Sequence, residues 1–388
     1  MKLCVYAICK NEIKFLDRWM NSILNEADYI AVLDTGSTDG TYDDLCTYSD
    51  NSYFSDEWTY KAKVIVDQID LEKELGMMRF DKARNKSLSL VPIDTDICVV
   101  LDLDQVPVKG WSEIIKQRFE EGYTEVHGDI VDHDENGNEL NSWRSRNVHP
   151  NSPYWIWERV IHEGIQYYGN EENKIIYDKR FVINHYPDLH KDRSLYTKLL
   201  KYSCKEYPKD PYYGNYLGIE LSRRGTREEA CQAFKRCLKE CDFQGDDVLE
   251  GQVYMNLAIC TDDPEEALET LLKAKQKGLC RSRRFFKLLA DYYEKLGYFD
   301  QAIYTLEEAL AVKSCSSDWT DDLQYFNGYI EDRLSLFYYY KKQNYLKALE
   351  YCIKAIEQDP ENARLKNNLD FYLKAFTESI RKRYLDGE

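Results

Sequence analysis

The strongest constraint on this chain's fold is a change of pattern near residue 190. Before it, short apolar runs alternate with helical stretches. "LCVYAI", "YIAVLD", "KVIVDQI" and "DICVVLDLD" read as strands, and "EIKFLDRWMNSILNEA" and "FDKARNKSLSLV" as helices; "STDGTYDDLCTYS" reads as a turn followed by a short helix. Continuous β-branched runs separated by helices predict a mostly parallel sheet covered on both faces. Right-handed crossovers then align the strands' carboxyl ends along one edge, where α/β sheets bind ligands. Asp34, Asp102 and Asp104 fall at such ends. After residue 190 the strand signals vanish and the pattern is helical throughout. The expectation is an α/β domain over 1–190 and an all-α domain over 191–388.

Composition narrows what such a molecule can bind. At 388 residues the chain exceeds one ordinary core. With 69 Asp and Glu against 52 Lys and Arg, its net charge of −17 argues against nucleic acid or an anionic membrane as partner. No stretch approaches the roughly 20 apolar residues of a membrane span, and "MKLCVYAICKNE" reads as a first strand rather than a leader. Twelve cysteines include no C-x-x-C pair; Cys4, Cys9 and Cys98 lie in strand-like runs and Cys231, Cys237 and Cys352 on apolar helix faces. Free thiols in a reducing cytosol are expected.

The helical half carries an internal repeat. Gly218, Leu221, Gly225, Ala230, Phe234 and Cys237 keep the same offsets as Ala290, Tyr293, Gly297, Ala302, Leu306 and Ala309. Leu336, Tyr339, Gln343, Ala348, Cys352 and Ala355 form a third copy, and "NLAICTDDPEEALETLLKAKQKG" is a degenerate one. Small residues where paired helices cross, a large residue between them and a turn at the glycine resemble the tetratricopeptide repeat. The resemblance implies a concave surface for a polypeptide or partner domain.

In the first half, polar motifs follow the strands in order: "ICKNE", "LDTGSTDGT", "ARN" at the opening of a helix, "LDLDQ", then "VIHEG" and "INHYP". Gly36 and Gly40 permit a tight turn, and Thr38 or Asp39 can cap the next helix. Together these motifs resemble the family 2 glycosyltransferases, whose GT-A fold is Rossmann-like with a mostly parallel sheet. The order of motifs, ending before tetratricopeptide-like helices, is similar to a subgroup with the S- or O-linked peptide glycosyltransferases of glycopeptide bacteriocins. Lipopolysaccharide-core glucosyltransferases share much of the N-terminal pattern.

The resemblance gives the D-x-D a purpose. It implies that Asp104 ligates Mn²⁺ or Mg²⁺, which also holds the diphosphate of a nucleotide-sugar, expected to be a UDP-sugar. Asp102 then faces the ribose or a metal-bound water. Hard oxygen donors suit these ions. The late histidine His185 is the candidate further metal ligand, against a core role. Ile8 and Lys10 are implied beside the base, Asp34 near uracil or ribose, Arg84 near the nucleotide, and Glu12 as cap or brace of that loop. Gln105 stands where relatives often carry an acidic residue or Asn, and is grouped with the sugar contacts. Trp155 and Trp157 suit either a sugar face or the core.

Inverting transfer needs one base to take the acceptor's proton. Glu163 is the candidate, with Asp129 and Asp132 behind it and His162 as rival; alternation on a strand would point His162 and Glu163 to opposite faces. The reading is a metal-dependent glycosyltransferase whose repeats recruit a peptide or protein acceptor or mediate a homodimer. Two alternatives stand: a saccharide or lipid-linked acceptor, and a non-enzymatic adaptor with a decayed transferase domain.

Overall fold

The computed structural model describes residues 1–50, 61–188, 194–279, 281–313 and 323–384. The chain divides into two compact units, Met1–Leu199 and Leu200–Glu388.

The first unit runs β1 (Leu3–Cys9), α1 (Ile13–Ile23), β2 (Tyr29–Asp34), α2 (Thr41–Ser49), β3 (Lys63–Gln68), α3 (Leu71–Leu75), α4 (Phe80–Leu88) and β4 (Ile97–Val100). It continues with β5 (Gln105–Pro107), α5 (Trp111–Glu120), β6 (Glu125–His133), β7 (Glu139–Arg144), β8 (Val148–Pro150), β9 (Trp155–Glu158), β10 (Gly164–Tyr167) and β11 (Ile175–His185). The main sheet has the order β3-β2-β1-β4-β8-β6-β11-β5, with β7 added beside β6. Strands β1 to β4 are parallel, as are β6 and β11, whereas β8, β7 and β5 pair antiparallel with their neighbours. The sheet is therefore mixed beyond β4.

Alternation along β1 sorts the core. Leu3, Val5, Ala7 and Cys9 face a cluster with Trp19 and Met20 of α1 and Trp111 of α5. Cys4 and Tyr6 face the other side, where Trp155, Trp157 and Ile165 of the β9–β10 hairpin pack. Trp19 and Trp111 are fully buried, and truncating either to alanine costs about 3–5 kcal/mol.

Three boundaries differ from expectation in ways that matter for the site. The fourth strand stops at Val100, so Asp102 and Asp104 lie in a turn, closed by Gln105 N–H donating to Asp102 O at 2.9 Å. "ARN" sits in the second turn of α4 instead of opening it. The run "WIWERVIHEG" is not one strand: Arg159 (φ 74°) and His162 (φ 54°) adopt left-handed backbone that a strand excludes. The chain reverses there, pairing Glu158 with Gly164.

Among the described residues the second unit has four helix pairs, α7–α8, α9–α10, α11–α12 and α13–α14, followed by a further helix, α15. Their ranges are Pro211–Arg224, Arg227–Glu240, Asp247–Cys260, Pro264–Gln276, Arg283–Lys295, Phe299–Ala309, Tyr329–Tyr340, Tyr345–Gln358 and Ala363–Tyr384; α6 is Ser194–Glu206, across the division between the units. Each expected repeat copy falls on one pair. Gly218 shows why the small residue is needed, because a Cβ there would come within 2.3 Å of the buried Phe234 ring. Ala230, Ala302 and Ala348 are fully buried at the matching crossings.

Candidate active site

The carboxyl ends of β1 and β2 carry two turns tied to each other. Asn11 N–H donates to Ser37 Oγ at 2.8 Å, and Thr38 N–H donates back to Asn11 Oδ1 at 2.8 Å. Glu12 N–H donates to Thr41 Oγ1 at 2.9 Å, and Ile13 N–H to Asp39 Oδ2 at 3.2 Å. Gly36 (φ 101°) and Gly40 (φ 98°) supply left-handed positions that side chains disfavour. Asp39 accepts from Thr41 N–H at 3.0 Å at the start of α2. Asp34 is fully buried, and its Oδ1 accepts from Gly36 N–H and Ser37 N–H, each at 2.9 Å, and from Gln68 Nε2 at 3.0 Å. Burial opposes its ionisation, but the bonds from Ser37, Gln68 and Gly36 prevail and hold the carboxyl below its usual range.

On the same edge, β5 pairs with the end of β11 and sets His185 opposite Gln105. His185 Nε2 thereby lies 3.3 Å from Asp104 Oδ2, although 81 residues separate the two in sequence. Its Nδ1 lies 2.6 Å from Asp132 Oδ1. Burial disfavours the charged ring, yet Asp104 and Asp132 outweigh it and raise the histidine's pKa. An imidazole whose far nitrogen is held by a carboxylate is the arrangement that orients metal-ligating histidines. Asp104 and His185 fit a hard divalent ion that takes its other ligands from phosphate oxygens and water. Among the described residues no group of three or more His, Cys, Asp or Glu side chains is arranged to hold a metal ion.

Beside this pair a cavity of about 380 Å³ opens, with Arg84, Asp102, Gln105, Trp157 and Glu163 in its wall. Arg84 is the hub. Its Nε donates to Glu163 Oε1 at 3.1 Å, and its Nη1 meets Asp102 Oδ1 at 2.7 Å as an ion contact. Burial weakens its charge, but Asp102 and Glu163 overcome that and raise the guanidinium pKa further. The same guanidinium lies 5.2 Å from the Trp157 ring centre. Gln105 Oε1 accepts from Asp102 N–H at 3.1 Å and braces the turn.

The expected site residues thus form two groups. Arg84, Asp102, Gln105 and Glu163 share the cavity, with Asp104 and His185 paired next to it. Ile8, Lys10, Glu12 and Asp34 lie at the carboxyl ends of β1 and β2 and the turns that follow: Ile8 packs against the cluster of Leu33, Leu71, Met78 and Ala83, and Lys10 Nζ sits 3.8 Å from Glu72 Oε2. Glu12 makes no side-chain cap to α1; its backbone supplies the brace. His162 is exposed, its ring edge-on to Tyr196 at 6.0 Å, and is not part of the cavity wall. Because His162 and Glu163 lie in the reversal of a hairpin, strand alternation does not relate them. Asp129 accepts from Tyr177 OH at 2.7 Å, and Asp132 serves His185. Trp155 is core, packed 5.0 Å from the His149 ring.

Sequence reasoning missed the far wall, built by Trp143, Arg144, Ser145, Arg146 and Asn147. Two arginines within "WRSRN" in so acidic a chain were the available signal. Asn147 seals the end of β4, giving its side-chain N–H to Val100 O at 2.7 Å and accepting Val100 N–H on its main-chain carbonyl at 2.8 Å. No helix among the described residues is long and apolar enough to cross a membrane, and the ten described cysteines are unbridged.

Residues 4–188 match the profile of Glycosyl transferase family 2. Among curated proteins none matches this sequence. Solved structures with loose likeness include MamA, 19% identical over 43% of this chain and 89% of that one, TM-score 0.34. A thermophilic TPR protein of Thermus thermophilus is 21% identical over 47% and 90%, TM-score 0.29. YrrB, titled a TPR protein with an unusual peptide-binding site, is 16% identical over 47% and 85%, TM-score 0.37. Likeness at these scores carries no weight, and the repeat character of the second unit rests on its own four helix pairs. The chain therefore carries a family 2 glycosyltransferase domain ahead of its tetratricopeptide-like repeats.

Proposed function

We propose that the protein is a metal-dependent, inverting glycosyltransferase that moves a sugar from a nucleotide-sugar, in the first instance a UDP-sugar, to a peptide or protein acceptor. The observation that carries this reading is the convergence of Asp102, Arg84 and Glu163 on one cavity beside the Asp104–His185 pair. Asp104 and His185 would hold Mn²⁺ or Mg²⁺, which when bound neutralises charge on the diphosphate. Ile8, Lys10, Glu12 and Asp34 are assigned to the base and ribose end, Asp102 and Arg84 to the nucleotide, and Gln105 to the sugar.

Glu163 is assigned as general base. Its carboxylate takes the proton of an acceptor hydroxyl or thiol as that oxygen or sulfur bonds to the anomeric carbon. The bond from that carbon to the diphosphate oxygen breaks, and its electron pair leaves with the nucleoside diphosphate. Transfer is assigned to residues 1–190 and acceptor recruitment to 191–388, in the cytosol, with a homodimer through the repeats as the further partner. The test is a panel of nucleotide-sugars offered to the full chain with Mn²⁺ or Mg²⁺, reading release of nucleoside diphosphate and thermal stabilisation. Metal-dependent release from at least one donor is expected. No release and no stabilisation with any donor overturns the reading.

A further inference from the structure

The hairpin of β9 and β10 bears both Trp157 and Glu163, and two residues outside the assigned machinery hold it. Asn85 follows Arg84 on α4. Its Nδ2 donates to Trp157 O at 2.7 Å, and its Oδ1 accepts from Trp157 N–H at 3.0 Å. A side-chain amide that matches a main-chain donor and acceptor at once fixes the strand's height and direction, as a ladder pair does.

The indole is held from its other end. His149 and Tyr6 are almost fully buried. His149 Nδ1 lies 2.9 Å from Pro150 O, a carbonyl that only accepts, so the proton sits on Nδ1. Burial pushes this histidine down to about 4, so the ring is neutral at pH 7. Its Nε2 must then accept from Tyr6 OH, 2.9 Å away. The Tyr6 oxygen in turn accepts from Trp157 Nε1–H at 2.9 Å. The order of donors along Trp157, Tyr6, His149 and Pro150 is therefore unique, and reversing any link leaves a buried polar atom unpaired.

We propose that Asn85 and Tyr6 are positioning residues: they lock the β9–β10 hairpin against α4 and β1, so that Trp157 forms the cavity wall and Glu163 meets the acceptor. The proposal rests on the transferase reading above. Arg84 and Asn85 grip the hairpin at Glu163 and at Trp157, six residues apart, from consecutive positions on one helix. A displacement of about 1 Å at a reacting group costs on the order of 10²-fold in rate, and the clamp exists to prevent one.

Two near-isosteric variants of the full chain test it. Asn85→Asp sets a carboxylate oxygen against the Trp157 carbonyl; Tyr6→Phe removes only the hydroxyl. Each is measured for UDP affinity, for turnover of the donor found in the panel, and for amide exchange by mass spectrometry. For Asn85→Asp, turnover falls on the order of 10²-fold, UDP affinity stays within about twofold, and exchange quickens over residues 155–167 but not over β1 and β2. Tyr6→Phe follows the same pattern with a smaller loss, and decides alone if the aspartate variant does not fold. Unchanged exchange over 155–167 overturns the clamp. Quickened exchange with intact turnover overturns the positioning role, and so does a parallel loss of UDP affinity, which marks general destabilisation. A wild-type chain inert toward every donor fails the transferase reading instead, and the exchange data still decide the clamp.

Discussion

Two aspartate-bearing turns at the same sheet edge are built in opposite ways. Asp34, the last residue of β2, is satisfied locally: Gly36 and Ser37 bind its Oδ1 from the turn that follows, and Gln68 from the adjacent strand. The D-x-D turn after β4 is closed by Gln105, but its carboxylates make ion contacts with distant residues, Arg84 on Asp102 and His185 near Asp104. The first turn is preformed, with little freedom for its carboxylate. The second holds its charges in ion contacts between distant residues. On the proposed reading, the rigid turn would cradle the nucleoside and the charge pair would serve the diphosphate, the end that changes charge during transfer.

The largest effect that can sharpen this contrast lies at the end of the long-range network. Glu163→Gln keeps shape and should lower transfer to a hydroxyl acceptor by about 10²–10⁴-fold, with nucleotide affinity retained. His162→Asn should leave transfer close to wild type. Near-normal transfer by the glutamine variant would remove Glu163 from the mechanism.

Next is the buried histidine of the hairpin clamp. Its folded-state pKa of about 4 lies below the unfolded 6.5, so as pH falls between these values the unfolded chain takes a proton that the folded one refuses. The first unit should lose on the order of 3 kcal/mol over that interval. Urea unfolding read by tryptophan fluorescence measures it, since all but one tryptophan precede residue 190. His149→Gln should flatten that limb, and an equal slope in the variant would show that the loss arises elsewhere.

Asp132→Asn tests the charge pair without touching a proposed ligand. It should weaken Mn²⁺-dependent UDP binding about 10–100-fold through the orientation of His185, as read by metal titration. Unaltered metal dependence would mean that His185 needs no carboxylate to hold it.

The smallest effect is expected where the turn is self-contained. Asp34→Asn should cost about 1–3 kcal/mol at pH 7. Because the folded carboxyl lies below its unfolded value, its contribution is present above roughly pH 4 and disappears as pH falls through the folded pKa. The gap between variant and wild type should therefore close in acid, and a constant gap would show that the charge is irrelevant.

The first four strands with α1, α2 and α4 among them, the helix pairs and the glycine-bearing turns were legible in the sequence because their causes are local. Apolar period, left-handed positions at Gly36 and Gly40, and short polar side chains act within a few residues. "ARN" and "LDLDQ" could be singled out, but their partners could not. Arg84 meets Glu163 across 79 residues and Asp104 meets His185 across 81. Both meetings depend on strand order: β5 must turn back onto β11, and the β9–β10 hairpin must cover the face where Tyr6 points. The reversal at Arg159 and His162 was equally hidden, since arginine does not announce left-handed backbone and histidine adopts it in only a small minority of positions. The sequence by itself determined which residues could serve as ligand, base and anchor. Only the tertiary structure decided which of them share a cavity, because a charge's partner depends on distance through space and not along the chain.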